Sequence, residues 1–315
     1  MSNGSSPSSP RRLRGAVAVT CTVLVPACVV GGLVWQSLGG DGARGGDGGP
    51  SSAGSRGTAE PGGPADGADG RPPGSAPPSG EPDAGKPLAG KVVVVDPGHN
   101  PGNRDHPREI NASVDIGTNS KACDTTGTAT NDGYAEAEFT LDVARRIRTI
   151  LEKQGAEVRL THDDDRPYGP CVDERAAIGN KADADAAVSV HADGSGAGNR
   201  GFHVILPGAV KEGGADTRAI VGPSRELGER IAGRFVRETG SEPSNYIGGG
   251  TGLDVRSDLG GLNLSEVPKV FVECGNMRDP QDAERLTSAE WRQSAARGIA
   301  DGIALHLGAA AGKDF

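Results

Sequence analysis

The chain has 315 residues, with 33 Lys and Arg against 42 Asp and Glu and a formal charge of -9. That balance lacks the basic footprint a phosphate backbone requires, so nucleic acid gains no support as a partner. The 51 glycines and 22 prolines crowd towards the N-terminus. Setting that region aside leaves roughly 225 residues, enough for one domain with a sizeable core.

Arg11, Arg12 and Arg14 precede an apolar run over residues 16–38, and no Lys or Arg follows until Arg44. A run of about 20 apolar residues suits a bilayer core, and the basic flank places residues 1–15 in the cytoplasm. The expectation is an uncleaved single-pass signal anchor, with a cleaved signal peptide and secretion as the alternative. Val25-Pro26-Ala27-Cys28 only faintly resembles a lipoprotein cleavage box, because apolar residues continue after it. Residues 39–86 are Gly, Ser, Pro, Ala and Asp with almost no large apolar side chain. Such a segment cannot bury enough surface to offset its ordering entropy and reads as a disordered tether. A catalytic domain is expected over residues 87–315, outside the cell.

That domain opens on Lys91-Val-Val-Val-Val-Asp-Pro-Gly-His99. Four consecutive valines suit a strand buried on both faces, in the middle of a parallel sheet. Asp96-Pro97-Gly98 should stop the strand and deliver His99 past its carboxyl end, where open α/β sheets place ligands. Residues 101–133 are a long polar excursion of the kind that carries function. Asn131-Asp132-Gly133 offers helix-start chemistry, and Phe139, Val143, Ile147, Ile150 and Leu151 recur at helical spacing up to Gly155. Glu136 shares that stripe, either as a carboxylate needing a partner or metal or as a first-turn residue favoured by the helix dipole.

A strand over 157–161, a helix over 171–181 with Val172, Ala176 and Ile178 on its apolar face, and a short buried strand over 186–190 ending at His191 follow. Residues 201–206 form another strand, with His203 half-buried within it. A helix over 224–239 buries Leu227, Ile231 and Phe235. The last strand, 267–273, ends in Glu273, and 282–306 is helical. The fold class is therefore α/β, a mostly parallel twisted sheet with helices on both faces in a single catalytic domain. Two imidazoles and one carboxylate form a common catalytic zinc set with a position left for water, and a further glutamate can carry protons. No G-x-G-x-x-G follows the first strand, which removes a dinucleotide-binding reading.

V-V-V-D-P-G-H, E-A-E-F-T-L-D-V-A-R-R-I, V-D-E-R-A-A-I-G-N, A-D-A-A-V-S-V-H-A-D and V-F-V-E-C-G-N-M occur in that order. Together they resemble the successive motifs of the zinc-dependent N-acetylmuramoyl-L-alanine amidases, over nearly the whole folded domain. The resemblance implies Zn²⁺ held by His99, Glu136 and His191, with Glu273 as the catalytic carboxylate. It implies peptidoglycan as substrate, cut between N-acetylmuramic acid and the L-alanine of the stem peptide. The alternatives are another zinc peptidase of the wall, carboxypeptidase-like, or an inactive peptidoglycan-binding module. The family often has Thr-Arg at Thr161-His162, Asn at Asp193 and an aromatic residue at Asn276, departures that touch substrate contacts and no metal ligand. No plug helix is expected between Leu206 and Val267. His106, His162, His203 and His306 read as structural or solvated, Asp163-Asp164-Asp165 as a solvated turn, and Cys274 as a small core residue. Cys123 and Cys171 lie in loops of an extracellular domain, where disulfides persist, and are expected to pair.

Overall fold

The structure, a computed structural model, describes residues 86–308. The expected cytoplasmic stretch, the apolar span and the tether up to residue 85 lie outside the described residues. Among those described, no helix is long and apolar enough to cross a membrane. From the N-terminal side come β1 (Val92–Pro97), a short helix α1 (Pro107–Ile110), and a small hairpin of β2 (Ser113–Asp115) and β3 (Ser120–Ala122). Next are α2 (Glu136–Lys153), β4 (Glu157–Leu160), α3 (Val172–Lys181) and β5 (Ala186–Asp193). Then follow β6 (His203–Pro207), a second small hairpin of β7 (Lys211–Glu212) and β8 (Ala215–Asp216), and α4 (Val221–Thr239). The remainder is β9 (Leu253–Arg256), α5 (Gly260–Asn263), β10 (Lys269–Asn276), α6 (Pro280–Thr287) and α7 (Ala289–His306).

Six strands form one sheet in the order β4-β1-β5-β10-β6-β9. Every neighbouring pair is parallel except β10 with β6. The sheet is thus mostly parallel, as the valine run predicts. Val93 and Val95 share one buried cluster with Phe139, Val143 and Ile147 of α2 and with side chains of α4 and α7. Val94 faces the opposite side with Ala184, Ala187 and Val267, beneath Ile178 of α3. Helices therefore cover both faces, and the strand between them has no polar side until Asp96.

Several boundaries differ from the sequence reading. β1 does not stop at Asp96: Asp96 and Pro97 still pair with Ser189 and Val190. Proline is tolerated there because it is the last residue of the strand. Asn131-Asp132-Gly133 makes a turn, with Gly133 at φ 92, and α2 starts three residues later at Glu136. The C-terminal helix is two helices broken at Ser288, whose hydroxyl caps α7 by accepting from Trp291 N at 3.3 Å. β9, which pairs in parallel with β6 at the sheet edge, is not predicted, because its Leu253-Asp254-Val255-Arg256 alternation lasts only four residues.

Candidate metal centre

His99 stands two residues past the end of β1, in the left-handed region at φ 63, which side chains other than glycine rarely adopt. Its carbonyl oxygen is held from two sides: His162 Nε2 lies 2.7 Å from it, and Arg175 Nη2 donates to it at 3.0 Å. This bracing fixes a conformation that the chain would otherwise leave. Any side chain at the neighbouring Gly98 would displace the His191 ring, since a Cβ there would lie 2.2 Å from its Cε1. Glu136 occupies the first turn of α2 and is 4% exposed. Its Oε2 accepts from Thr128 N at 2.8 Å and its Oε1 from Ala192 N at 3.2 Å. Sequence reasoning left this residue between ligand and helix-dipole partner, and the structure turns its carboxylate into the site.

Ring chemistry settles where the lone pairs point. Thr125 O can only accept, so at 3.0 Å it takes a proton from His99 Nδ1 and leaves Nε2 bare. Ser189 Oγ donates to Asp96 Oδ2 at 2.6 Å, so it accepts from His191 Nε2 at 3.1 Å and leaves Nδ1 bare. Both bare nitrogens face the same oxygen: His99 Nε2 is 3.2 Å and His191 Nδ1 3.0 Å from Glu136 Oε1. Ligand atoms of the three residues all lie within 4.8 Å of one another. Three electron-rich atoms in such proximity require a cation between them, either protons or a metal. Ligands bonded to tetrahedral zinc at about 2.1 Å would sit about 3.4 Å apart, so the set fits a divalent ion of that kind. Burial disfavours the His99 imidazolium, but Glu136 and Asp124 outweigh it and raise its pKa to about 10. The ring therefore keeps a proton unless a metal replaces it.

Behind the ligands lies a buried charge cluster that the sequence reading missed. Asp96, 1% exposed, accepts from Thr161 Oγ1 at 2.5 Å, Ser189 Oγ at 2.6 Å and Arg175 Nη1 at 2.5 Å. The same guanidinium donates from Nη2 to Asp124 Oδ2 at 2.8 Å. Asp124 Oδ1 in turn lies 3.3 Å from His99 Nδ1. Burial would raise both carboxyls, but the Arg175 charge holds each well below the usual carboxylate range. Asp96 thus orients His191 through Ser189, and Asp124 orients His99, the outer-shell support that fixes tautomers. One signal was available: Arg175 falls at helical spacing on the buried stripe of α3 with Ala176 and Gly179. A charged residue on an apolar stripe demands a partner.

Glu273 lies on β10, in register with His191 on one side and His203 on the other. Adjacent in-register residues project from the same face, which puts this carboxylate beside the His191 ligand. Its Oε2 is shielded from solvent and has no hydrogen-bond partner among the described residues. Burial raises the Glu273 pKa well above the ordinary value, and the negative charges of Glu136 and Asp193 push it the same way. Cys123 and Cys171 are bonded, which ties the long 101–133 excursion to the start of α3 and carries Asp124 and Thr125 to His99.

The model of the N-acetylmuramoyl-L-alanine amidase family matches residues 93–305. The chain belongs to this family. The N-acetylmuramoyl-L-alanine amidase Rv3717 of Mycobacterium tuberculosis is 41% identical over 215 residues, 68% of this chain and 85% of that protein. AmiA of Escherichia coli, also an N-acetylmuramoyl-L-alanine amidase, is 26% identical over 239 residues, 67% of this chain and 74% of that protein. The crystal structure of the N-acetylmuramyl-L-alanine amidase Ami1 from Mycobacterium smegmatis superposes with a TM-score of 0.65. It shares 42% identity and covers 71% of this chain and 99% of that one.

Within this family member the remaining histidines stay outside the metal group. His162 braces the His99 backbone and is 3% exposed, so it is structural rather than solvated. His203 opens β6 and is 2% exposed, deeper than the half-burial expected, with its ring 6.1 Å from that of Tyr246. His106 and His306 stand at helix ends. Asp163 pairs with Arg145 and Arg148, so the aspartate turn is anchored on α2 and not merely solvated. Asn276, where an aromatic is common, is fully buried and donates to Asn199 O at 2.6 Å, a structural rather than substrate-facing position. Tyr246 donates to Asp193 Oδ2 at 2.6 Å.

Proposed function

We propose that the chain is a zinc-dependent peptidoglycan amidase, hydrolysing the amide between N-acetylmuramic acid and L-alanine, with His99, Glu136 and His191 as metal ligands and Glu273 as proton carrier. The observation that carries this reading is the convergence of His99 Nε2 and His191 Nδ1 on Glu136 Oε1, with Glu273 one strand away in register. His99, Glu136 and His191 would hold the zinc ion, which would supply a water acidified towards a pKa of about 7 and a Lewis acid for the scissile carbonyl. Glu273 accepts the proton given up by the attacking water. It then delivers that proton to the amide nitrogen as the C–N bond breaks, so L-alanine departs as a neutral amine. A carboxylate whose pKa is raised by burial is suited to holding that proton between the two steps. Asp96, Arg175 and Asp124 hold the two imidazoles in the required tautomers throughout.

The Cys123–Cys171 bond supports an oxidising location, and we propose a domain held outside the cell by the apolar run before it. The test is mass spectrometry of muropeptides incubated with the full chain, with and without chelator. Release of peptides with a free L-alanine amino group, lost with chelator and restored by Zn²⁺, is the expected result. Shortened peptides still bonded to the sugar would assign a carboxypeptidase, and intact muropeptides a binding module.

A further inference from the structure

A cavity of about 520 Å³ opens beside the proposed metal centre. Its walls include residues that flank the ligands in sequence: Asn100 after His99, Ala135 and Ala137 on either side of Glu136, and Gly194 shortly after His191. The volume lies in the range of ligand pockets. Two charged side chains line it, Arg104 and Arg278, and no aspartate or glutamate does. Arg104 Nε donates to Pro101 O at 3.1 Å, and Arg278 Nη1 donates to Asn131 Oδ1 at 3.2 Å. Both are neutral acceptors, and neither guanidinium has a carboxylate partner among the described residues, so the two bring positive charge to a concave wall of a chain that is acidic as a whole.

The substrate's own chemistry says which part belongs there. Once the lactyl carboxyl of the sugar is tied up in the scissile amide, the glycan beside the cut carries no charge. Carboxylates near the bond belong to the peptide. Resting on the amidase reading above, we propose that this cavity is the subsite for a carboxylate of the departing peptide, gripped by Arg104 and Arg278. A guanidinium offers a planar fork that matches a carboxylate's two oxygens, whereas a carboxamide presents one acceptor and places its NH₂ donor against the cation. The cavity therefore favours acidic peptides over amidated ones.

The probes are L-alanyl-D-glutamate, a dipeptide that begins with L-alanine and carries two carboxylates, and its diamide, titrated calorimetrically into the full chain. The parent should bind the acid on the order of tenfold tighter than the diamide. Arg104→Ala and Arg278→Ala should each narrow that ratio, and together bring it near one. Both side chains are exposed, so the fold should survive, which circular dichroism checks. Turnover of the matching N-acetylmuramoyl dipeptides supplies the second measurement: the variants should raise KM for the acid and leave kcat unchanged. Equal binding of acid and diamide by the parent, or an unaltered ratio in the double variant, overturns the proposal. A parent that binds the acid selectively but cuts neither muramoyl substrate upholds the subsite and overturns the amidase reading.

Discussion

Arg175 serves two buried carboxylates at once, and its removal would leave Asp124 paired with His99 alone and Asp96 with only the Lys269 ammonium, 4.0 Å away, among the described residues. Arg175→Met should destabilise the domain by about 3–5 kcal/mol at neutral pH, measured by denaturant unfolding. The pH dependence has a definite sign. In the parent both carboxyls titrate below their unfolded values, so their stabilising contribution is present above the ordinary carboxylate range and lost as pH falls through the folded pKa. Without Arg175, burial raises them, and acid neutralises them in the folded state. The stability gap between parent and variant should therefore shrink as pH falls through that range. At the metal centre, His191→Ala should lose bound metal and activity together, while His203→Ala should keep its metal, as read by elemental analysis. Glu273→Gln separates chemistry from coordination: zinc content should be unchanged, and turnover should fall at least about 10²-fold. Near-parent hydrolysis by that variant would remove Glu273 from the mechanism. The histidines were legible because apolar strands announce where they end. Asp96 and Arg175 were not, because they meet across 79 residues and only the folded register brings them together.

At the level of elements, the valine run and the Ala186–Val190 strand were readable from unbroken apolar composition and the α2 stripe from its helical spacing, whereas β9 was not. Leu253-Asp254-Val255-Arg256 is an edge strand, and its Val255 side chain is 53% exposed. An edge strand draws its identity from the neighbour it pairs with, here β6, and little from its own composition. The long excursion after β1 was recognisable as functional but not in its path, which Cys123–Cys171 fixes across 48 residues. Loop closure of that length stabilises by about 4 kcal/mol on a chain-entropy estimate. Cys123→Ser with Cys171→Ser should lower the melting temperature. It should also weaken metal affinity, because Asp124 and Thr125, adjacent to the bond, hold the His99 ring. Metal affinity equal to the parent's in that double variant would mean the loop keeps its path without the staple.

For the molecule as a whole, the arginines before the apolar run make an external domain the proposed topology. A reporter fused after Phe315 should be active only outside the cytoplasm, and an internal signal would overturn the anchor reading along with the oxidising location. The strand order has a consequence of its own for a chain synthesised from its N-terminus. β10 is the last strand in sequence, yet it lies between β5 and β6 near the middle of the sheet. Until Lys269–Asn276 arrives, β1, β4 and β5 share no strand pairing with β6 and β9, and the proposed metal ligands lack the Glu273 carboxylate beside them. On the proposed assignment of Glu273, a chain that ends before this last strand should therefore hydrolyse no muropeptide, which assay of a chain truncated after Val267 checks.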